Sequence, residues 1–274
     1  MSTASDAVLS AGVTTPLDAV FARCRSEGRA ALVAYLPAGF PDRERSAEAF
    51  ATVARSGADI VEVGVPYTDP LMDGPVIQHA AQTALENGFR FADVLSCVQT
   101  VADNGAVPVV MSYWNPVLRY GPAMFAAHLA RAGGAGLITP DLIPDEAAVW
   151  REAAAEHSVA PIFLVAPSST DARLAMTVAA CRGFVYAAST MGVTGARAAV
   201  GSGAHDLVAR TRALSALPIC VGLGVSTGDQ AATVAGFADG VIVGSALVSA
   251  LGTDGDLDAL GTLTAELAEG VRRG

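Results

Sequence analysis

Short apolar runs rich in β-branched residues alternate along the chain with alanine-rich amphipathic stretches. A segment rich in glycine, proline or aspartate separates the runs from the helical stretches that follow them. Eight runs are predicted to be strands: Ala31–Leu36, Ile60–Val65, Pro108–Tyr113, Gly136–Thr139, Ile162–Val165, Phe184–Ala187, Ile219–Val221 and Gly240–Val243. Helices are predicted between them, among others over Arg43–Ser56, Met124–Ala132, Asp145–Glu156, Ala172–Cys181, Asp206–Leu214 and Asp229–Ala235. Regular alternation of strand and helix indicates parallel strands joined by right-handed crossovers.

Eight strand–helix units favour an α/β fold of the (β/α)8 TIM-barrel type. A doubly wound open sheet is the structural alternative. No linker or low-complexity tract interrupts the repeat, so we expect a single domain over residues 1–274. A barrel also carries a functional rule, because its catalytic groups lie at the C-terminal ends of the strands and in the loops after them.

Two further helices are predicted outside the repeat. Thr15 is suited to an N-cap, Pro16 to the first helical position and Gly28 to the end of a helix that would cover the lower mouth of the barrel. The segment Leu257–Arg273 predicts an extra C-terminal helix, and residues 1–12 are expected to be disordered.

The composition excludes several classes of function. The chain carries 17 basic and 27 acidic residues, a net charge of −10, which argues against a nucleic-acid-binding surface. All the basic residues are arginines, so a catalytic Schiff base, a lysine-anchored pyridoxal phosphate and a P-loop are excluded. The longest stretch free of charged residues, Ala213–Gly228, contains Pro218 and is too short for a membrane span.

The cysteines, the histidines and the N-terminal residues bear on metal binding and compartment. The four cysteines and four histidines are scattered without a close pair, so no metal site is expected. The segment Met1–Ala11 lacks the basic and then apolar pattern of a secretory signal, so we expect a cytoplasmic protein.

One carboxyl group is predicted to face the interior of the second strand. Side chains alternate between the two faces of a strand, so Val61, Val63 and Val65 share the face suited to the outer helices. Glu62 then points inward, beside Gly64. Because an unpaired inward carboxylate is costly, it is expected to be paired with an arginine, protonated or functional, and no predicted strand contains an arginine.

The loop after this strand carries two more carboxyl groups. Three prolines stiffen it, which suits precise placement of a side chain at the barrel's upper face. Asp69 precedes a proline and is expected to serve the turn. Asp73 precedes a glycine, and its sequence context alone allows either a turn or a site role.

Three glycine-rich segments follow the sixth, seventh and eighth strands. They are Gly192–Gly195, Gly222–Gly224 and Gly244–Ser245. Loops after strands seven and eight, with a helix N-terminus, form the recurring phosphate site of such barrels. Since the protein is anionic overall, a dianionic ligand requires such a local pocket of backbone amides, and ordinary tight turns are the alternative.

These segments together resemble the tryptophan synthase alpha-chain family. The central motif runs from Val61 to Gln78 and reads VEVGVPYTDPLMDGPVIQ. Supporting segments follow in the same order: Met111–Pro116, Pro140–Asp145, Gly192–Gly195, Val221–Ser226 and Val243–Ala246. The resemblance extends from about Leu32 to the end of the chain.

The resemblance implies a retro-aldol lyase that cleaves indole-3-glycerol phosphate to indole and D-glyceraldehyde 3-phosphate. It implies no cofactor in this chain, and a pyridoxal-phosphate beta chain as partner in an α2β2 assembly, with the loop Pro66–Gly74 facing that partner. It makes Glu62 and Asp73 catalytic. It also assigns substrate contacts to Tyr113, Tyr186, Thr194, Gly195, Gly224, Gly244 and Ser245.

The chemistry of the reaction explains why two unlike carboxyl groups are needed. The ring carbon C3 leaves easily only once it is protonated, so a protonated acid and then a base must act there. We expect Glu62 to do both, with its pKa raised by burial, and Asp73 to stay ionised near the indole N–H on a wetter loop.

One departure from the family pattern and two alternative functions are open at this point. Leu223 stands where the family usually has phenylalanine, which thins one wall of the indole pocket. The alternatives are a catalytically weak subunit that only activates the beta chain, and another phosphate-binding barrel enzyme. Related barrels that need a catalytic lysine or strand histidines fit poorly, because the predicted strands contain neither.

Overall fold

Parallel strands form a single sheet in the computed structural model, which describes residues 15–188, 202–222 and 224–274. The prediction of disorder over residues 1–12 lies outside these described residues. The strands are β1 Ala31–Pro37, β2 Ile60–Gly64, β3 Val107–Met111, β4 Gly136–Ile138, β5 Ala160–Ile162, β6 Leu164–Val165, β7 Val185–Ala188, β8 Ile219–Gly222 and β9 Gly240–Val243. Their order in the sheet is β5-β4-β3-β2-β1-β9-β8-β7-β6.

The fifth predicted strand is in fact two short strands, and this split closes the barrel. β5 pairs with β4 and β6 pairs with β7, so the two ends of the sheet are joined by the single residue Phe163. The Phe163 carbonyl accepts from the Tyr186 backbone N–H at 3.2 Å, which extends pairing toward β7 across the junction. The (β/α)8 fold is confirmed, with its fifth strand in two pieces because that strand changes partner partway along.

Helices surround the sheet in the described part of the chain. They are α1 Pro16–Ser26, α2 Arg43–Arg55, α3 Pro75–Glu86, α4 Val94–Asp103, α5 Trp114–Tyr120, α6 Pro122–Arg131, α7 Ala148–Glu156, α8 Asp171–Ala180, α9 Ser202–Arg212, α10 Gly228–Ala235, α11 Ser245–Leu251 and α12 Leu257–Gly270. Within the residues described, no helix is both long and apolar enough to cross a membrane.

Both extra helices predicted outside the repeat are present. Thr15 caps α1 in a reciprocal capping box with Asp18, and Gly28 follows the helix with a φ of +65°. Leu17 and Phe21 of α1 pack with Ile60 in the inner apolar cluster, so this helix covers the lower mouth of the barrel. The C-terminal helix α12 ends at Gly270 and packs against helices α2, α10 and α11.

The alternation predicted for β2 is confirmed by the two apolar clusters. Val61 and Val63 belong to the outer cluster between sheet and helices, whereas Ile60 belongs to the inner cluster. Glu62 shares the inward face with Ile60 and is fully buried.

A buried ion pair fixes the beginning of β2 against β1. The Asp59 carboxylate accepts from the Arg29 guanidinium at 2.7 and 2.9 Å, from Arg23 at 2.8 Å and from the Leu32 backbone N–H at 3.0 Å. Burial alone would raise the pKa of Asp59, but these donors outweigh it and hold the pKa below its ordinary 3.8. The contact sets the register that places Tyr35 opposite Glu62.

Replacing Asp59 with alanine is expected to destabilise the barrel by about 3 kcal/mol at pH 7, because it leaves the buried Arg29 without its main partner. The stabilisation by Asp59 is present above pH 3.8 and is lost as the pH falls through the lower native pKa, so the two proteins converge in acid. Urea denaturation at several pH values measures this. Arg23→Ala, which removes a half-exposed partner, is the control and is expected to cost less than about 1 kcal/mol. Equal stability of Asp59→Ala and the unmodified chain at pH 7 would contradict the assignment.

Candidate active site

Glu62 is a buried acid at the centre of β2. Its side chain is 0% exposed, and neither carboxyl oxygen has a hydrogen-bond partner among the described residues. Burial therefore raises its pKa from 4.5 to about 8, because the charged form loses its hydration without compensation. No arginine of the described residues pairs with Glu62, and the group is mostly protonated at neutral pH.

Tyr113, two residues after β3, holds the loop that carries Asp73. Its hydroxyl oxygen accepts from the backbone N–H groups of Leu71 at 2.9 Å and Met72 at 3.0 Å, and its O–H donates to Asp73 Oδ2 at 3.1 Å. One buried phenol therefore connects the end of β3 to the tip of the β2–α3 loop. The sequence motif places Tyr113 and Asp73 far apart along the chain, and this contact brings them together.

Asp73 is in a less buried environment than Glu62, although it is not on a freely solvated loop. Its side chain is half-buried; burial raises its pKa, and the hydrogen bond from Tyr113 acts in the opposite direction. The two carboxyl groups thus differ in environment, since among the residues described Glu62 has no donor and Asp73 accepts from Tyr113. Asp69 is exposed and accepts a hydrogen bond from the Thr68 hydroxyl at 2.6 Å, away from these groups.

Tyr186 and Tyr35 complete the phenolic wall of the site. Burial and the nearby Glu62 and Asp73 carboxyl groups raise the pKa of both phenols well above 10, so they remain protonated hydrogen-bond donors. A Cβ at Gly222 would fall 2.8 Å from the Tyr186 hydroxyl, which explains glycine at that position of β8. Sequence reasoning missed Tyr35, although alternation from Ala31 and Val33, two inward residues of β1, could have indicated it.

Three of the predicted anion-binding residues lie just after β8 and β9. Gly224 follows β8 with a φ of +71°, a conformation that favours glycine. Gly244 is the N-cap residue of α11, and because it has no side chain it makes no side-chain cap hydrogen bond. Ser245 is the first residue of that helix and is half-buried. The first N–H groups of a helix have no partner within it, so they are available to an anion. Thr194, Gly195 and Leu223 lie outside the described residues.

Comparison with known proteins agrees with this geometry. The model of the family described as "Tryptophan synthase alpha chain" matches residues 21–270. The chain is 61% identical over 257 residues to the tryptophan synthase alpha chain of Mycobacterium intracellulare, covering 94% of each chain, and 62% identical over 252 residues to that of Nocardia farcinica, covering 92% of this chain and 94% of that one. A solved structure of Mycobacterium tuberculosis tryptophan synthase superposes with a TM-score of 0.91 at 58% identity, covering 95% of this chain and 99% of that one.

The fold and the site together define a (β/α)8-barrel enzyme with a carboxyl-based site. The match over nearly the whole length then gives the family: the chain belongs to the tryptophan synthase alpha chains. It is accordingly a lyase that carries the alpha-subunit reaction of tryptophan biosynthesis, and its family works with a beta chain in one complex.

Tyr113→Phe is expected to raise the pKa of Asp73, because the phenol is the donor that favours the ionised carboxylate. The change also removes the acceptor for two backbone N–H groups, so the β2–α3 loop is expected to exchange its Leu71 and Met72 amide hydrogens faster. A carbon NMR titration of the aspartate carboxyls and amide exchange measure both effects. Tyr67→Phe is the matched control, since its ring packs against Tyr113 at a tilt of 37° but its hydroxyl accepts a hydrogen bond from Asn115. An Asp73 titration unchanged by Tyr113→Phe would show that the hydrogen bond has no effect in solution.

Proposed function

We propose that Glu62 and Asp73 are the two catalytic carboxyl groups with which this chain cleaves indole-3-glycerol phosphate. The observation that carries the proposal is that Glu62 is fully buried with no hydrogen-bond partner in the described segments, and its pKa of about 8 keeps it protonated at neutral pH. A group that begins protonated can give a proton to the ring, and one whose pKa lies near the working pH can take a proton back.

The proposed reaction balances with Glu62 acting twice. Its carboxyl proton passes to C3 of the indole ring, which becomes an indoleninium cation. The resulting carboxylate then removes the proton of the hydroxyl on the carbon attached to C3. As that oxygen becomes the aldehyde of D-glyceraldehyde 3-phosphate, the carbon–carbon bond breaks and its electron pair returns to the ring, giving neutral indole. Glu62 ends protonated, ready for the next cycle.

Asp73 is proposed to accept the hydrogen bond of the indole N–H and to balance the positive charge that develops on the ring. Its hydrogen bond from Tyr113 supports this role, because a donor to the carboxylate favours the ionised form. Tyr113 then lines the ring pocket, and Tyr186 is proposed to lie near the reacting centre. The phosphate is proposed to bind the backbone amides around Gly195, Gly224, Gly244 and Ser245, and Thr194 is proposed to belong to the loop that closes over the substrate.

Glu62→Gln is expected to lower indole release at least 100-fold while substrate analogues still bind, because the shape is kept and the transferable proton is lost. Asp73→Asn is expected to reduce turnover strongly, because the variant loses the negative charge that balances the cationic ring. Stopped assays of indole formation measure both, first on the isolated chain. Asp69→Asn changes an exposed carboxyl on the same loop and is the matched control, with activity near that of the unmodified chain.

Glu62→Gln retaining more than about a tenth of the rate would refute the acid–base role, since such catalysis contributes roughly 10²–10⁴-fold. Unchanged turnover in Asp73→Asn would return that residue to a role in the turn.

We also infer an α2β2 assembly in which the beta chain carries pyridoxal phosphate and this chain needs no cofactor. Apolar side chains next to the site support a docking face: Leu71, Leu118 and Ile143 are 71%, 53% and 43% exposed. Hydrogen bonds tie their segments together, from Leu71 N–H to Tyr113 and from Trp114 N–H to Asp141. A cytoplasmic location fits four buried free cysteines.

Leu118→Asp is expected to weaken binding of the beta chain at least 10-fold, because a charge would be buried at the contact. Sedimentation or calorimetry with the purified beta chain measures this. Leu214, 43% exposed after α9, lies at the other end of the barrel, and Leu214→Asp is the control with unchanged binding. Equal binding by both variants would place the beta chain elsewhere.

A further inference from the structure

We propose that the Tyr35 hydroxyl donates a hydrogen bond to the reacting oxygen of the substrate chain, on the carbon attached to the indole ring. This inference rests on the proposed function, because it names a further residue of that same site. It is carried by the place of Tyr35 in the barrel and by the two glycines that flank its ring.

Tyr35 lies on the strand between the carboxyl side and the anion side of the site. In the sheet, β1 is the single strand between β2, which carries Glu62, and β9, which leads to Gly244. Tyr35 is opposite Glu62 in the register, and the pairing of Ala34 with Val243 brings the next residues, Tyr35 and Gly244, side by side. A substrate whose ring lies at Glu62 on β2 and whose phosphate lies at Gly244 after β9 therefore passes over β1, the one strand between them.

Two glycines make room for the phenol ring of Tyr35, and their distances to its atoms show the direction of the side chain. A Cβ at Gly244 would fall 3.2 Å from Tyr35 Cδ1, near the root of the ring. A Cβ at Gly64 would fall 2.6 Å from Tyr35 Cζ, and still nearer to the hydroxyl oxygen. The ring thus runs from the anion rim toward β2, and its hydroxyl lies beside Gly64. Because Gly64 is two residues after Glu62, both face the same side of the strand.

The hydroxyl is therefore placed next to the oxygen that Glu62 must deprotonate. That oxygen changes from an alcohol to a carbonyl through a state with growing negative charge, which a phenol donor stabilises. Glu62 cannot also be this donor, because it carries out the proton transfers. The Tyr113 hydroxyl is already hydrogen-bonded to two loop N–H groups and to Asp73. Within the part of the chain that the structure describes, Tyr35 makes no such loop contact, and it remains a protonated donor beside two carboxyl groups.

The test compares Tyr35→Phe with the unmodified chain in complex with its beta chain. The variant keeps the ring and loses one hydroxyl, so kcat/KM for cleavage is expected to fall roughly 3- to 10-fold, the range of a neutral hydrogen bond, and mainly through kcat. Binding of a propanol-phosphate analogue that keeps the indole ring and phosphate but has no chain hydroxyls is expected to be unchanged. Tyr120→Phe is the matched control with unchanged kinetics, because its hydroxyl contacts His128 in the helical layer outside the barrel.

Three results would overturn the assignment. Unchanged kcat/KM in Tyr35→Phe would show that the hydroxyl does not contact the reacting oxygen. An equal loss in analogue binding would mean that Tyr35 acts through packing alone. If the unmodified chain neither cleaves the substrate nor binds the analogue, the proposed function itself fails and this inference with it, and that outcome is distinct from the other two.

Discussion

The site depends on the burial of one carboxyl group inside the barrel, where no residue that the structure describes pairs with it. Keeping Glu62 neutral removes the cost of a buried charge, and the same environment gives a proton donor at neutral pH. The neighbouring structure maintains this condition: valines on the alternate positions pack β2 against the helices, and α1 covers the mouth below. The barrel therefore supplies an acid mainly by excluding water and partners, as other enzymes do when two carboxyls have unlike roles.

The opposite rim of the mouth works by a different physical principle. In the proposed function, a chain with a net charge of −10 and no lysine binds the substrate phosphate locally through backbone amides after β8 and β9. Tyr35 on β1 and Tyr186 on β7 line the space between the two sides. Their rings fit because glycines stand at the facing positions of β2 and β8. The acid at one end of the site suits the aromatic ring of the substrate, and the amides at the other end suit its phosphate. The phenols lie between these two ends.

Much of this arrangement could be predicted from the sequence because strand periodicity determines which side chains face inward. The inward position of Glu62 and the covering helix α1 follow from local pattern and capping residues alone. The split of the fifth strand could not be predicted, because it results from pairing with two different neighbours. The three hydrogen bonds of Tyr113 join segments about 40 residues apart, and only the folded chain brings them together. Asp73, expected on a wetter loop, is half-buried because of that contact.

The most direct test of this account is the titration of Glu62 itself. Carbon NMR of the chain labelled at glutamate carboxyls, with Glu62→Gln to assign the resonance, follows its protonation from pH 4 to pH 10. A midpoint near 8 is the result predicted from burial without a partner. A midpoint near 4.5, the ordinary value for glutamate, would mean that water or a cation reaches the group, and the acid on which the mechanism depends would not exist at neutral pH.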